Sequence, residues 1–365
     1  MTSTLEALDF VVQRPDFSQH KIVSSTPAGL EQGQISIRVD RFAFTANNIT
    51  YAVVGDLVRY WSFFPADEGW GRIPVWGFGD VAQSRHDAID EGERLYGYFP
   101  MSTHLTVQPD RFAGPSFLDF SAHRRDLNAI YNQYFRTHLD PSYDPRYENL
   151  QALFRPLFTT SFLIDDFLID NELFGASSVV LSSASSKTAL GVAYALQHNR
   201  PDRKPYDIVG LTSPGNVAFV ERLGFYDQVL TYDAVPSLPA ETPAVYVDLA
   251  GNSKLRSDLH HHFRNALKYS CQVGLSHWSQ AAPADALPGP EPQQFFAPTQ
   301  AQKRSKEWGP EVFQQRLGAA WMKFRDIAEQ HIEVITGQGS EAVARVYLET
   351  LQGKVDPRHG HILSL

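Results

Sequence analysis

A run of small, hydroxyl-bearing residues stands where a strand should pass into a helix. Val179-Val180-Leu181 is a short apolar entry, Ser182, Ser183, Ala184, Ser185 and Ser186 follow, and Lys187-Thr188-Ala189-Leu190-Gly191 opens a helical pattern. A second apolar run, Ile208-Val209-Gly210-Leu211-Thr212-Ser213, comes one helix later. Strand, tight turn, helix and strand in that order set a helix N-terminus against a pyrophosphate. Ser183, Ser185, Ser186, Lys187 and Thr188 are therefore candidate cofactor-binding residues, through backbone N–H groups and hydroxyls. The ordinary alternative is a serine-rich N-cap. Ser186-Lys187-Thr188 also ends like a triphosphate loop, but Leu181 and Ser186 stand where that loop needs glycine, so a triphosphatase is not expected.

The end of the second apolar run bears on cofactor choice. NAD enzymes keep an acidic residue there for the ribose hydroxyls. Here the chain reads Thr212-Ser213-Pro214-Gly215-Asn216, without a carboxylate. Two hydroxyls and an amide can accommodate a 2′-phosphate, which favours NADP over NAD.

Around these residues the chain must supply a scaffold. Its 365 residues favour about two domains. A 43% hydrophobic and 20% charged composition is that of an ordinary globular protein with a normal core. The net charge of −9 argues against nucleic acid as a partner. One cysteine excludes an internal disulfide and a multi-cysteine metal site. No basic-then-apolar leader and no span of about 20 apolar residues is visible, so a cytoplasmic protein without membrane contact is expected.

Residues 1 to about 115 read as β-rich, with strands predicted at 34–40, 93–99 and 104–107. Residues 116–150 are polar, aromatic and partly helical, and suggest an insertion or lid, or else a surface connector. Tyr131, Tyr134 and His138 fall at i, i+3 and i+7 of a helix there. From about 151 to 280 helix and strand alternate, which implies a doubly wound, Rossmann-like parallel sheet. A proline-rich linker spans 281–292, one amphipathic helix is predicted at 310–334, another at 341–351, and a strand at 361–365. His260-His261-His262 could suggest a metal, but consecutive residues do not share a helix face, and a solvated segment fits better. Cys271 fits a packed strand thiol.

The order of segments resembles the medium-chain dehydrogenase/reductase superfamily, and within it the zinc-independent quinone oxidoreductase and enoyl reductase branch. Phe44-Thr45-Ala46-Asn47-Asn48-Ile49-Thr50-Tyr51 is similar to its segment near the nicotinamide. Arg72 to Ala82, with Pro74-Val75-Trp76-Gly77, is similar to its P-x-x-x-G-x-E strand pair. Gly92-Glu93-Arg94-Leu95-Tyr96-Gly97 resembles its G-D-R-V-x-G turn, and Leu223-Gly224-Phe225-Tyr226-Asp227 its LGAD segment.

The resemblance implies a GroES-like β-rich catalytic domain built from both chain ends around the nucleotide domain. The expected division is 1–155 for the β-rich domain, 156–300 for the nucleotide domain, and 301–365 for helices and a strand returning to the first. It implies NADP(H)-dependent reduction of a quinone, enone or related conjugated carbonyl, a small-molecule substrate. Asn48 and Tyr51 would orient substrate or nicotinamide, and Tyr51 and Thr50 are candidate proton donors. Thr160, Tyr232, Gly274 and Ser276 would join the cofactor site. Asn47 or Asn48 and Gly77-Phe78-Gly79 stand where zinc-dependent relatives carry Cys and Gly-His-Glu, so no metal is expected. The family's fingerprint glycines fall on Ser183, Ser186 and Ala189. Related folds commonly dimerise, which raises a homodimer. The rival readings are a non-catalytic or regulatory member with a degraded cofactor site, and a lyase or hydrolase reusing the cleft.

Overall fold

The structure, a computed structural model, describes residues 6–273 and 287–365. The chain divides into two units, residues 1–153 with 332–365, and residues 154–331.

The first unit holds β1 (Ala7–Gln13), β2 (His20–Ser25), β3 (Ile35–Phe44), helix α1 (Ala46–Val53), β4 (Trp70–Gly71), β5 (Pro74–Ser84), β6 (Arg94–Pro100), β7 (His104–Val107), β8 (Pro109–Ala113), β9 (Ser116–Asp119) and β10 (Gln133–Arg136). Helix α2 (Glu148–Asp170) carries the chain from this unit into the other. On return the chain adds β17 (Glu333–Gln338), α8 (Gly339–Leu351) and β18 (His359–Ser364). The main sheet has the order β17-β18-β3-β5-β6-β10-β9-β8, with β7 also paired to β3, while β2-β1-β4 form a smaller sheet. The register of β5 against β6 sets Trp76 opposite Tyr98 and Phe78 opposite Tyr96. Residues two apart share a face, so four large rings gather on one side. Gly97 lies between them because the ring of Tyr134 fills the space a Cβ would need.

Residues 116–150 build part of the main sheet. They supply β9 and β10, which pair with each other, and β10 also pairs with β6. The helix expected through Tyr131, Tyr134 and His138 is absent: a 3₁₀ turn (Ala129–Asn132) leads into β10, and a second turn (Thr137–Leu139) follows it. Pairing with β6 overrides the local spacing, and it buries Tyr134 completely.

The second unit holds β11 (Ser178–Leu181), α3 (Lys187–Asn199), β12 (Asp207–Thr212), α4 (Val217–Leu223), β13 (Gln228–Thr231), β14 (Ala244–Asp248), α5 (Ser253–Phe263), β15 (Leu267–Gln272), β16 (Gln293–Gln294), α6 (Ala297–Trp308) and α7 (Pro310–His331). Its six strands are all parallel, in the order β13-β12-β11-β14-β15-β16. That is the doubly wound 3-2-1-4-5-6 order, whose direction reverses between β11 and β14. All four residues of β11 and all five of β14 are buried, as a sheet covered on both faces requires.

The expected return of residues 301–365 to the β-rich domain begins later, at Ile332. Helices α6 and α7 stay with the parallel sheet's unit. Phe324 of α7 stacks on Phe158 of α2 at 4.4 Å between ring centroids, and the Arg304 guanidinium of α6 bonds Asp166 at 2.6 Å. The single helix expected at 310–334 is accordingly α7, ending at His331, with Gly309 at φ +87° separating it from α6.

Candidate active site

At the carboxyl end of β11 the chain turns sharply. Ser182 is fully buried; its hydroxyl donates to Asp248 Oδ1 at 3.2 Å and accepts the N–H groups of Leu249 and Ala250 at 2.9 and 3.0 Å. Ser183 then adopts φ +51°, the left-handed region. A side chain there costs about 1–2 kcal/mol that glycine avoids. The backbone bend of a glycine fingerprint thus persists with serine in its place. Ser186 is the N-cap of α3, and its hydroxyl accepts the Ala189 N–H at 3.2 Å. This is the ordinary capping alternative, so its side chain serves the helix. Lys187 and Thr188 form the first turn of α3, where helical N–H groups lack intrahelical acceptors and the dipole favours an anion.

The neighbouring strand ends close in. Ser185 Oγ accepts from Asn216 Nδ2 at 3.1 Å and lies 3.4 Å from Thr212 Oγ1. Thr212 is fully buried, with its hydroxyl turned to Ser185; Ser213 is exposed. Tyr232 follows β13 with its phenol beside the Ser183 backbone N–H, and burial raises its pKa. Ser183, Ser185, Asn216 and Tyr232 therefore converge at the carboxyl ends of β11, β12 and β13. Asp248, at the end of β14, is buried, and burial raises its pKa despite the Gly251 N–H and nearby Arg256.

Thr160 does not present its hydroxyl, which turns back to the Pro156 carbonyl at 3.3 Å. The α2 hydroxyl that reaches α3 belongs to the next residue. Ser161 Oγ donates to the carbonyls of Leu157 and Thr188, each at 2.9 Å, and Gly191 leaves the room, since a Cβ there would lie 2.5 Å from that oxygen. Gly274 and Ser276 lie outside the described residues. Cys271 is fully buried and its thiol is pushed up by burial. The histidine run is not a solvated segment as expected. His260 is buried between Ser270 Oγ and the Pro288 carbonyl, both at 2.9 Å, and His262 bonds the Leu238 carbonyl at 2.9 Å.

In the first unit Asn48 is committed to structure rather than to a ligand. Its Oδ1 accepts the Thr45 N–H at 2.8 Å in a capping box at the start of α1, and its Nδ2 donates to the Pro74 carbonyl at 2.9 Å. Thr50 Oγ1 turns back to the Ala46 carbonyl at 3.5 Å. Tyr51 differs. Its oxygen accepts from Trp76 Nε1 at 3.3 Å, and its own proton has no acceptor among the described residues.

Tyr51 sits in a cage of rings that includes Tyr60 at 4.6 Å, Tyr98 at 5.7 Å and Tyr131 at 6.3 Å between centroids. The Tyr60 and Tyr131 hydroxyls bond each other at 2.8 Å, and the Tyr98 hydroxyl is buried with no hydrogen-bond partner among the described residues. Burial first, then the neighbouring phenols, push the Tyr51, Tyr60, Tyr98 and Tyr131 pKa values up. Neutral phenols are donors, and with one proton spent between Tyr60 and Tyr131, three remain for an oxygen acceptor.

Beside the cage lies a fully buried guanidinium. Arg124 bonds Asn132 Oδ1 at 2.8 Å, the Tyr134 hydroxyl at 3.0 Å and the Tyr131 carbonyl at 2.7 Å, and pairs with buried Asp119 at 3.0 Å. It fixes the backbone that carries Tyr131. Sequence reasoning missed Tyr60, Tyr98 and Arg124. The alternate aromatics of β5 and β6 were the available signal for Tyr98; Tyr60 and Arg124 carried none.

Among the described residues no three His, Cys, Asp or Glu side chains gather as a metal site, and no helix is long and apolar enough to cross a membrane. No curated protein matches the chain in sequence. Its fold is similar to that of CurA from Vibrio vulnificus, with 13% identity, 98% of each chain covered and a TM-score of 0.62. It is likewise similar to the yhdH oxidoreductase from Salmonella enterica in complex with NADP, with 12% identity, 99% of this chain and 100% of the other covered, and a TM-score of 0.55. For the quinone oxidoreductase from Coxiella burnetii the figures are 13% identity, 99% and 100% covered, and a TM-score of 0.53. At such identities the likeness is one of fold, that of the medium-chain dehydrogenase/reductases. In sequence, residues 42–356 match a family described as protein of unknown function (DUF2855), and the chain belongs to that family.

Proposed function

We propose that the protein is an NADP(H)-dependent reductase of a conjugated carbonyl compound such as a quinone or enone, working without a metal. The observation that carries this reading is the left-handed Ser183 in the elbow after the first strand of a 3-2-1-4-5-6 sheet. A backbone so bent, followed by a helix N-terminus, suits a pyrophosphate. Ser183 and the first turn at Lys187 and Thr188 would hold the diphosphate. Ser185, Ser213 and Asn216, with no carboxylate among residues 212–216, would take the 2′-phosphate side. The bound cofactor supplies a hydride. Tyr51 would supply the proton: burial keeps its phenol protonated, and its oxygen receives the Trp76 indole N–H.

A non-catalytic role has one observation in its favour: the Tyr232 phenol stands beside the Ser183 N–H that a diphosphate would use. The experiment that separates the readings is a titration with NADPH followed by its fluorescence, then oxidation of bound NADPH by enones and quinones. Binding and oxidation support the reductase. Binding without oxidation by any acceptor favours the non-catalytic reading, and no binding removes both the cofactor and the reductase.

A further inference from the structure

Arg59 and Trp61 flank Tyr60 on one short turn, and their side chains open onto a cleft of about 390 Å³ also lined by Arg14, Asp56, Ser62 and His123. That volume lies in the range of small-molecule sites. Arg59 is exposed, adopts φ +62°, and its guanidinium has neither a hydrogen bond nor an ion pair among the described residues. Arg14 is aimed into the same wall: its Nε donates to the Trp70 carbonyl at 3.0 Å, and its guanidinium carbon lies 5.3 Å from the centre of the Trp61 ring. Its one acidic neighbour is Asp56 at 3.6 Å, and the Asp56 side chain is 83% exposed, so that pair is weak. Two guanidiniums against one carboxylate leave a single positive charge. Guanidinium forks match carboxylates in shape and bind them by charge-assisted hydrogen bonds.

We propose that this cleft is the subsite for a carboxylate on the acceptor substrate, so that the substrate class is a conjugated carbonyl acid. The inference rests on the reductase reading for its substrate role. Tyr60 links the two places: its neighbours Arg59 and Trp61 line the cleft, while its ring packs on Tyr51, the proton donor, at 4.6 Å. The acid group anchors at the guanidiniums, and the reducible carbonyl lies among the phenols.

The test compares an enone acid with its methyl ester. The wild type is expected to favour the acid by at least ten-fold in kcat/KM. Arg59→Gln is expected to remove that preference, and Asp56→Asn, which takes away the competing carboxylate, to enlarge it. Both positions are exposed, so the fold is not at stake. A preference that neither substitution changes overturns the proposal. A second arm needs no turnover. The saturated keto acid and its ester are titrated into the free protein and followed by tryptophan fluorescence, with Trp61 in the cleft wall. Tighter binding of the acid, lost in Arg59→Gln, upholds the anion subsite even if no acceptor oxidises NADPH, in which case only the reductase reading fails. Equal binding of acid and ester overturns the subsite.

Discussion

Replacing Ser183 by glycine should make the protein more stable, although it removes a side chain. Ser183 holds φ +51°, which costs a non-glycine residue about 1–2 kcal/mol. Glycine avoids that cost but adds about 0.5–1 kcal/mol of backbone entropy to the unfolded chain. The net is a gain of about 0.5–1 kcal/mol. For a unit of about 180 residues that corresponds to a rise of about 1–4 °C in Tm. Ser183→Ala keeps the strain and should lie within about 0.5 kcal/mol of wild type. Ser183→Val sets a β-branched residue at positive φ and should lose about 2 kcal/mol or more, with NADPH affinity falling at least about ten-fold. Denaturant melts of the four proteins, with NADPH titrations alongside, measure both effects. A glycine variant less stable than wild type, or a valine variant that binds NADPH normally, would refute the argument that this bend shapes the site.

The other expectations concern the first unit. Tyr51→Phe should lower kcat/KM by about 10²–10⁴-fold through loss of the proton donor, and should cost about 1–3 kcal/mol in the melt because it strands the Trp76 indole N–H. Since burial raises the phenol pKa, Tyr51 stays protonated through the ordinary tyrosine range; kcat/KM should show no tyrosine-dependent fall below about pH 10, and a falling limb below that point that vanishes in Tyr51→Phe would contradict the assignment. Arg124→Met strands buried Asp119 together with Asn132 Oδ1 and the Tyr131 carbonyl, and should cost about 3–5 kcal/mol in a denaturant melt; Asp119→Leu should not restore it, because Asp119 Oδ1 also accepts the Gln108 and Ser121 N–H groups. Gly97→Ala drives a Cβ into the Tyr134 ring and should cost about 1–3 kcal/mol, read in the same melt.

The strand–elbow–helix around Ser183 was legible because buried parallel strands write themselves as short apolar runs, and the small residues between Leu181 and Lys187 leave nothing else to build. What serine could not announce is its φ, since a residue type that rarely turns left-handed gives no sign of doing so. The lid helix was misread because Tyr131, Tyr134 and His138 carry a helical spacing while the backbone of Gln133–Arg136 is claimed by β6. Residues 297–331 read correctly as helical in part, but their attachment depends on Phe158 meeting Phe324, two residues far apart in sequence. The phenol cage has the same origin. Its rings come from a helix, a short turn, two strands and a second turn, and only the strand pair shows a pattern. Asn48 looked like a ligand because an asparagine serving a cap and one serving a cofactor are the same letter.

Strand β18 completes the main sheet by pairing with β3 along Phe42, Ala43 and Phe44. In a chain made from its N-terminus, that edge is synthesised about 315 residues before its partner. At roughly 5–20 residues per second, the wait is on the order of 15–60 s. Throughout it an apolar strand edge stands open, the kind of surface that templates aggregation. The parallel sheet, contiguous between residues 154 and 331, needs nothing synthesised later and can finish folding inside that interval. Ribosomal stalling upstream of residue 359 would therefore release a molecule with one unit closed and the other exposing Phe42–Phe44, a natural substrate for chaperones.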